Sequence, residues 1–194
     1  MYDDYDDYDD YDGLIFDMDG TILNTEPTHL KAWRQVLVQH GLVFDEKALI
    51  GLSGSPAWRI AQVIIIHNQS DLDPNPLAAE KTQLLKTMLF DTVQPLPLIE
   101  VVKAYKGRRP MAVGTGSENA MAVALLQHLN LHNYFDAIVG ADDVKRHKPE
   151  PDTFLRCAEL IGVPAARCVV FEDADFGLQA ARAAGMDAVD VRRL

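Results

Sequence analysis

Two carboxylates two residues apart, Asp17 and Asp19, end the apolar run Leu14-Ile15-Phe16 and are followed at once by Gly20 and Thr21. Such a run reads as a short buried strand and Asp-Gly as a turn, so the chain leaves a sheet edge where both acids appear. Alternation along an extended chain puts Asp17 and Asp19 on one side and Met18 on the other. Carboxylates that close repel unless a cation or a shared proton neutralises them, so the pair anticipates a metal. Three further polar clusters follow short apolar runs. Gly114-Thr115-Gly116-Ser117-Glu118-Asn119 offers a hydroxyl and the free N–H groups of a helix start, which suit a phosphate. Lys148-Pro149-Glu150-Pro151-Asp152 sets one ammonium before another helix start, where it can neutralise phosphoryl charge. Phe171-Glu172-Asp173-Ala174-Asp175 adds carboxylates, and oxygen ligands of this kind select a hard cation, Mg2+.

Each cluster alone has a plainer reading. Asp-x-Asp-Gly is commonly a surface turn. It is not a calcium loop, because Ile22 stands at the sixth loop position where glycine is needed and Thr21 at the fifth where an acid is. Gly114-x-Gly116 is not a dinucleotide loop, because Asn119 replaces the third glycine. Glu172-Asp173 alone could cap a helix. Lys145, Arg146 and His147 read as ordinary solvated side chains, and Trp33 and Trp58 as packing residues. It is the four clusters in order that point to a site.

The elements that must position them alternate. The pattern predicts a helix over 98–106, a strand over 111–115, a helix over 118–129 and a strand over 137–139. A helix over 152–161, a strand over 168–172, a helix over 175–184 and a strand over 188–191 follow. The fold class is therefore α/β: a Rossmann-like, doubly wound, mostly parallel sheet with helices on both faces and ligands at the carboxyl ends of the strands. The first strand lies far upstream. Residues 25–91 form a helical cap inserted into a core made of 13–24 and 92–194, with helices over 26–41, 56–67 and 76–90 and a loop over 71–76.

Composition narrows the function further. The chain has 194 residues and a formal net charge of −11, of which Asp3, Asp4, Asp6, Asp7, Asp9, Asp10 and Asp12 supply seven. The remainder is mildly acidic, with no Lys/Arg-rich run, which argues against a nucleic-acid partner. Residues 1–12 repeat Tyr-Asp-Asp, and their charge and scarce aliphatic surface predict a disordered tail, or one whose last residues lead into the first strand. Cys157 and Cys168 stand apart from any Cys-x-x-Cys pattern and read as core thiols of a reducing compartment. No stretch is long enough for a membrane span, and the anionic start is unlike a signal peptide, so a cytoplasmic protein is expected. No apolar stripe is left over once core and cap are assigned, which predicts a monomer.

The four motifs resemble those of the haloacid dehalogenase superfamily of phosphatases and phosphomutases, and the inserted helices resemble the cap of its β-phosphoglucomutase-like branch. The resemblance implies a Mg2+-dependent phosphatase of small phosphosugars such as fructose 1-phosphate or 6-phosphogluconate. It implies Asp17 as the nucleophile, forming an aspartyl-phosphate that water hydrolyses. Asp19 would be acid and then base, with its backbone carbonyl on the metal. Thr115, Gly116 N–H, Asn119 and Lys148 would hold the phosphoryl oxygens. Asp17, Asp173 and Glu172, the last directly or through water, would complete the Mg2+ shell. His29 matches a cap histidine of the mutases. Those mutases also carry a basic Lys-Gly…Arg cap loop for a second phosphate, and here Ser53 and Ala57 hold the lysine and arginine positions. Arg59, one turn on, could still reach inward. A β-phosphoglucomutase-type isomerase is thus the alternative, and a phosphosugar-binding protein without turnover a third reading.

Overall fold

The computed structural model describes residues 7–194. Five strands, β1 (Gly13–Phe16), β2 (Met111–Gly114), β3 (Ala137–Val139), β4 (Cys168–Glu172) and β5 (Asp187–Asp190), form one parallel sheet in the order β3-β2-β1-β4-β5. After β1 the chain makes four helices, α1 (Glu26–Gln39), α2 (Glu46–Gly51), α3 (Ala57–His67) and α4 (Pro74–Thr92). It then returns to the sheet through α5 (Ile99–Tyr105), α6 (Asn119–His128), α7 (Asp152–Ile161) and α8 (Asp175–Ala183). Side chains alternate along each strand. Leu14 and Phe16 face α5 and α6 together with Val113 and Phe171, whereas Ile15 faces α7 and α8 with Ala112 and Val170. Both faces of the three central strands are thereby buried, which is why β1, β2 and β4 are mostly apolar, whereas the edge strand β5 begins and ends on an aspartate.

From β1 the chain winds outward to β2 and β3, then crosses back to lay β4 and β5 on the other side. The carboxyl ends of β1 and β4 therefore flank the switch point, where successive loops diverge and leave a crevice. Asp17 follows β1, while Glu172 ends β4 with Asp173 directly behind it.

Helices α1 to α4 enclose an apolar cluster of their own, with Trp33, Val36, Leu49, Ile60, Ile64 and Leu77 at its centre. The chain leaves and re-enters the sheet side by side. The Asn24 N–H donates to Gln94 O at 3.0 Å, and the Leu96 N–H donates to Ile22 O at 2.8 Å. Helix α4 begins at Pro74, two residues earlier than expected. Asp73 caps it by accepting from the Asn75 N–H at 2.9 Å, and Pro74 and Pro76 occupy the first turn, where a missing N–H costs nothing. The short α2, capped by Asp45 through the Ala48 N–H, was not anticipated.

Residues 7–12 do not form the expected disordered tail. The Tyr8 ring meets Phe171 edge-on at 4.8 Å, and Phe171 stacks on Phe16 at 4.7 Å. The Tyr8 N–H donates to the Tyr105 hydroxyl and the Tyr11 hydroxyl donates to Asp187. Arg108 and Arg167 pair with Asp9 and Asp12. Aromatic rings supply the apolar surface that aliphatic residues would have, and core arginines neutralise the aspartates. The first six residues lie outside the described part.

Cys157 and Cys168 are buried, free thiols on the α7 and α8 face, and burial pushes both above the usual thiol range. Among the described residues no helix is long and apolar enough to cross a membrane.

The edge-on contact of Tyr8 with Phe171 yields a prediction. Tyr8→Ala should lower unfolding stability by about 1–2 kcal/mol, since a partly buried aromatic contact is lost. An unchanged urea midpoint would show that the segment contributes no packing.

Candidate active site

The carboxyl ends of β1 and β4 converge on one buried cation. Lys148 is 1 % exposed, and its Nζ donates to Asp17 Oδ1 at 2.7 Å, to Glu172 Oε2 at 2.9 Å and to Gly114 O at 3.2 Å. Those three bonds use every hydrogen an ammonium has. Burial alone would discharge it, but the Asp17 and Glu172 charges outweigh burial and hold it protonated well above the usual lysine range. Glu172 is equally committed: its second oxygen accepts the N–H groups of Asp173 and Ala174, both at 3.0 Å. A Cβ on Gly177, in the first turn of α8, would lie 1.8 Å from Glu172 Oε2, so only glycine leaves room for this carboxylate. The other oxygen of Asp17 accepts from the Thr21 hydroxyl at 3.0 Å, and the same hydroxyl lies 3.1 Å from Asp173 Oδ1.

Asp19 sits beside this cluster with a ring of donors around it. Its Oδ2 faces the hydroxyls of Thr115 and Ser117, both at 3.1 Å, and its Oδ1 faces the Thr25 hydroxyl and His29 Nε2. Burial pushes its pKa up, but His29 and these hydroxyls prevail and hold the carboxyl well below the usual range. His29 Nδ1 lies 2.8 Å from the Nζ of Lys81, a buried lysine of α4 whose ammonium also faces the Trp33 ring. Burial and the Lys81 charge, against the pull of Asp19, keep His29 below its usual range. The neutral imidazole thus accepts from Lys81 at Nδ1 and donates from Nε2 to Asp19.

A cavity of about 500 Å³ opens above Asp17 and Asp19 and extends under the cap helices. Glu26, Ser53, Trp58, Gly116, Ser117 and His147 are among its lining residues. Glu26 accepts from the Ser53 hydroxyl at 3.1 Å, and burial together with the Asp19 and Asp17 charges raises its pKa to about 7.

Residues 14–191 match the haloacid dehalogenase-like hydrolase family. The chain belongs to that family. It is 69% identical to the fructose-1-phosphate phosphatase YqaB of Escherichia coli, over 94% of this chain and 97% of that protein. It is 29% identical to the phosphorylated carbohydrates phosphatase of Thermotoga maritima, over 91% of this chain and 82% of that protein. Among solved structures, the β-phosphoglucomutase of Clostridium difficile matches with a TM-score of 0.82 and 27% identity, over 92% of this chain and 83% of that one.

Against this family background, the structure sorts the residues singled out in the sequence. Asp17, Asp19, Lys148, Glu172, Asp173 and Thr115 come together, with Gly116 at the cavity wall. Asn119 does not join them. Its side-chain amide donates to Ile138 O and Asp143, and its N–H to Asp142, so it braces the loop after β3. Arg59 turns to the Lys148 carbonyl, at 2.9 Å. His147 is buried rather than solvated, and Trp58 is 40 % exposed at the cavity wall rather than packed away.

Sequence reading passed over Lys81, Glu26 and Ser117. Lys81 carried a signal, since it falls between Leu77 and Leu85 on the apolar stripe of α4, where a charge needs a reason. Glu26 looked like an ordinary acid in the first turn of α1.

The donor set fits a hard divalent cation. Oxygens of Asp17, Glu172 and Asp173 lie within 4.8 Å of one another. Their three charges face one ammonium, and burial with mutual repulsion pushes the Asp17 and Asp173 carboxyls far above the usual range. Two uncompensated negative charges among oxygen ligands suit a hard divalent cation.

Gly177→Ala should displace Glu172 and lower stability by about 1–3 kcal/mol, the cost of overpacking a filled site. A thermal midpoint equal to that of the wild type would contradict the close contact.

Proposed function

We propose that the protein is a Mg2+-dependent phosphatase of small phosphosugars, with fructose 1-phosphate and then 6-phosphogluconate as substrates, acting through an aspartyl-phosphate on Asp17. The observation that carries this reading is the Asp17 carboxylate, gripped by Lys148 and Thr21 on the floor of a cavity sized for a sugar phosphate. The name of the Escherichia coli relative supports the choice of fructose 1-phosphate.

In the first step a carboxylate oxygen of Asp17 bonds to phosphorus as the bond to the sugar oxygen breaks, and that oxygen takes a proton from Asp19. Asp19 holds that proton only transiently. Its supply runs through His29, which can pass on the Nε2 proton while Lys81 reprotonates Nδ1. In the second step Asp19 takes a proton from water, whose oxygen bonds to phosphorus as the bond to Asp17 breaks, releasing phosphate. As Asp17 bonds to phosphorus, the Lys148 hydrogen that it had held would turn, with Thr115 and the Gly116 N–H, to the transferring oxygens, and donors of this kind carry much of phosphoryl transfer. Held by Asp17, Asp173 and the Asp19 backbone carbonyl, with Glu172 behind Lys148, Mg2+ would neutralise the charge of the transferring group.

The isomerase alternative needs a second phosphate held under the cap. Lys81 and Lys86 also line the cavity, but Ser53 and Ala57 hold the lysine and arginine positions of the mutase loop and Arg59 bonds the Lys148 carbonyl, which favours hydrolysis.

Phosphate release from fructose 1-phosphate should require Mg2+, vanish with EDTA and vanish in Asp17→Asn while the protein stays folded. Undiminished release by that variant would remove Asp17 as nucleophile. Lys148→Ala should slow turnover by about 10²–10³-fold. Conversion of β-glucose 1-phosphate to glucose 6-phosphate without phosphate release would establish the isomerase instead.

Burial lowers the Lys81 ammonium to about 8, partly offset by Asp19 and Glu26. The cation is present below that pH and lost above it, so kcat should fall as pH rises through about 8. Lys81→Met should remove this alkaline limb and leave a low, flat profile.

A further inference from the structure

Between the cap and the core, the Arg59 guanidinium reaches the catalytic loop through a backbone hydrogen bond. Arg59, in the first turn of α3, donates from Nη1 to the carbonyl oxygen of Lys148 at 2.9 Å. The guanidinium lies 5.6 Å from the centre of the neighbouring Trp58 ring. Trp58 in turn meets the ring of His147, the residue before Lys148, edge-on at 6.1 Å. Just upstream, the cap loop closes on the core directly. A Cβ on Gly116 would lie 2.5 Å from Gly54 O, and one on Gly54 would lie 3.5 Å from Lys148 Cδ. Two cap segments therefore clasp two core loops: Gly54 against Gly116, and Trp58-Arg59 against His147-Lys148.

The two ends of Lys148 are held by different parts of the molecule. Its ammonium is fixed from the sheet by Asp17, Glu172 and Gly114 O, and its carbonyl from the cap by Arg59. The Arg59 bond can exist only while α3 lies against the core. A bidentate-capable, always-charged guanidinium held over an indole is a constrained donor, better suited to fixing a carbonyl than to searching for a ligand.

We propose that Arg59 is a positioning residue that couples cap closure to the placement of Lys148, and that it does not bind the sugar. Its role is then independent of what the phosphoryl group leaves. This inference rests on the phosphatase reading above, and the experiment separates the two.

The test compares kcat and KM for fructose 1-phosphate and for p-nitrophenyl phosphate, which has no sugar hydroxyls, in wild type, Arg59→Met and Arg59→Lys. Methionine keeps the apolar stem on Trp58 and removes the donor, and thermal unfolding checks that each variant is folded. Arg59→Met should lower kcat for both esters by the same factor, on the order of 10²-fold, as misplacement of a catalytic group by about an ångström does. KM for fructose 1-phosphate should change little, and Arg59→Lys should recover part of kcat for both esters, because an ammonium can still donate to the carbonyl. A loss confined to fructose 1-phosphate, or seen mainly in KM, would make Arg59 a sugar contact and overturn the proposal. Unchanged kinetics in Arg59→Met with an active wild type would overturn it alone. A wild type inert toward both esters would overturn the phosphatase reading and this role with it.

Discussion

One buried ammonium holds this molecule's chemistry together. Lys148 lies between the carboxylates of Asp17 and Glu172, at the ends of two adjacent strands, and its three hydrogens are all spoken for. Like charges on neighbouring strand ends would otherwise push β1 and β4 apart exactly where the sheet must be closed. Removing the ammonium would leave buried, uncompensated carboxylates, which is among the costliest changes a fold can suffer. Much of the local sequence follows from this constraint. Gly177 exists to make room for Glu172, the Asp173 and Ala174 N–H groups satisfy its second oxygen, and Phe154 lays its ring beside the ammonium.

The second acid is kept different from the first by its surroundings. Asp17 is flanked by other carboxylates and pushed upward, whereas Asp19 is surrounded by hydroxyls and an imidazole and pulled down. Two chemically identical side chains, two residues apart, are thereby given distinct proton affinities. Most of the Asp19 shell comes from elsewhere in the chain: Thr115 and Ser117 from the loop after β2, His29 from α1, and Lys81 behind it from α4. The cap thus reaches the reacting centre through hydrogen bonds as well as by covering it. That dual contact explains why a helical insertion is placed directly behind the first motif, with its two crossings hydrogen-bonded to each other.

At the opposite end of the sheet, a segment that reads as polar repeats is recruited into the core. Tyr8 and Tyr11 pack against the core cluster that α5 and α6 also cover, Tyr8 directly on Phe171. The contact matters for the site because Phe171 and Phe16, stacked on each other, directly precede Glu172 and Asp17. Aspartates that would repel in isolation are neutralised by Arg108 and Arg167, residues about a hundred or more positions away.

Period-two and period-3.6 patterns, with turn residues between them, determined the strands, the helices and the order of the four motifs, because those signals are local. The α/β class, the carboxylates and the lysine were therefore legible in the chain itself. Local signals could not separate residues of one motif by direction, so Asn119, read with the phosphate-holding group, turned out to brace a neighbouring loop. Nor could they show that Arg59 meets Lys148, or that Lys81 lies against His29, since these pairs are 89 and 52 residues apart. Residues 7–12 of the tyrosine repeat pack where a disordered tail was expected, for the same reason: whether a polar segment packs depends on what distant surface awaits it. Covalent neighbours decide secondary structure and the donor types available. Only tertiary packing decides which donors meet, because burial and charge pairing are set by groups that the chain brings together from far apart.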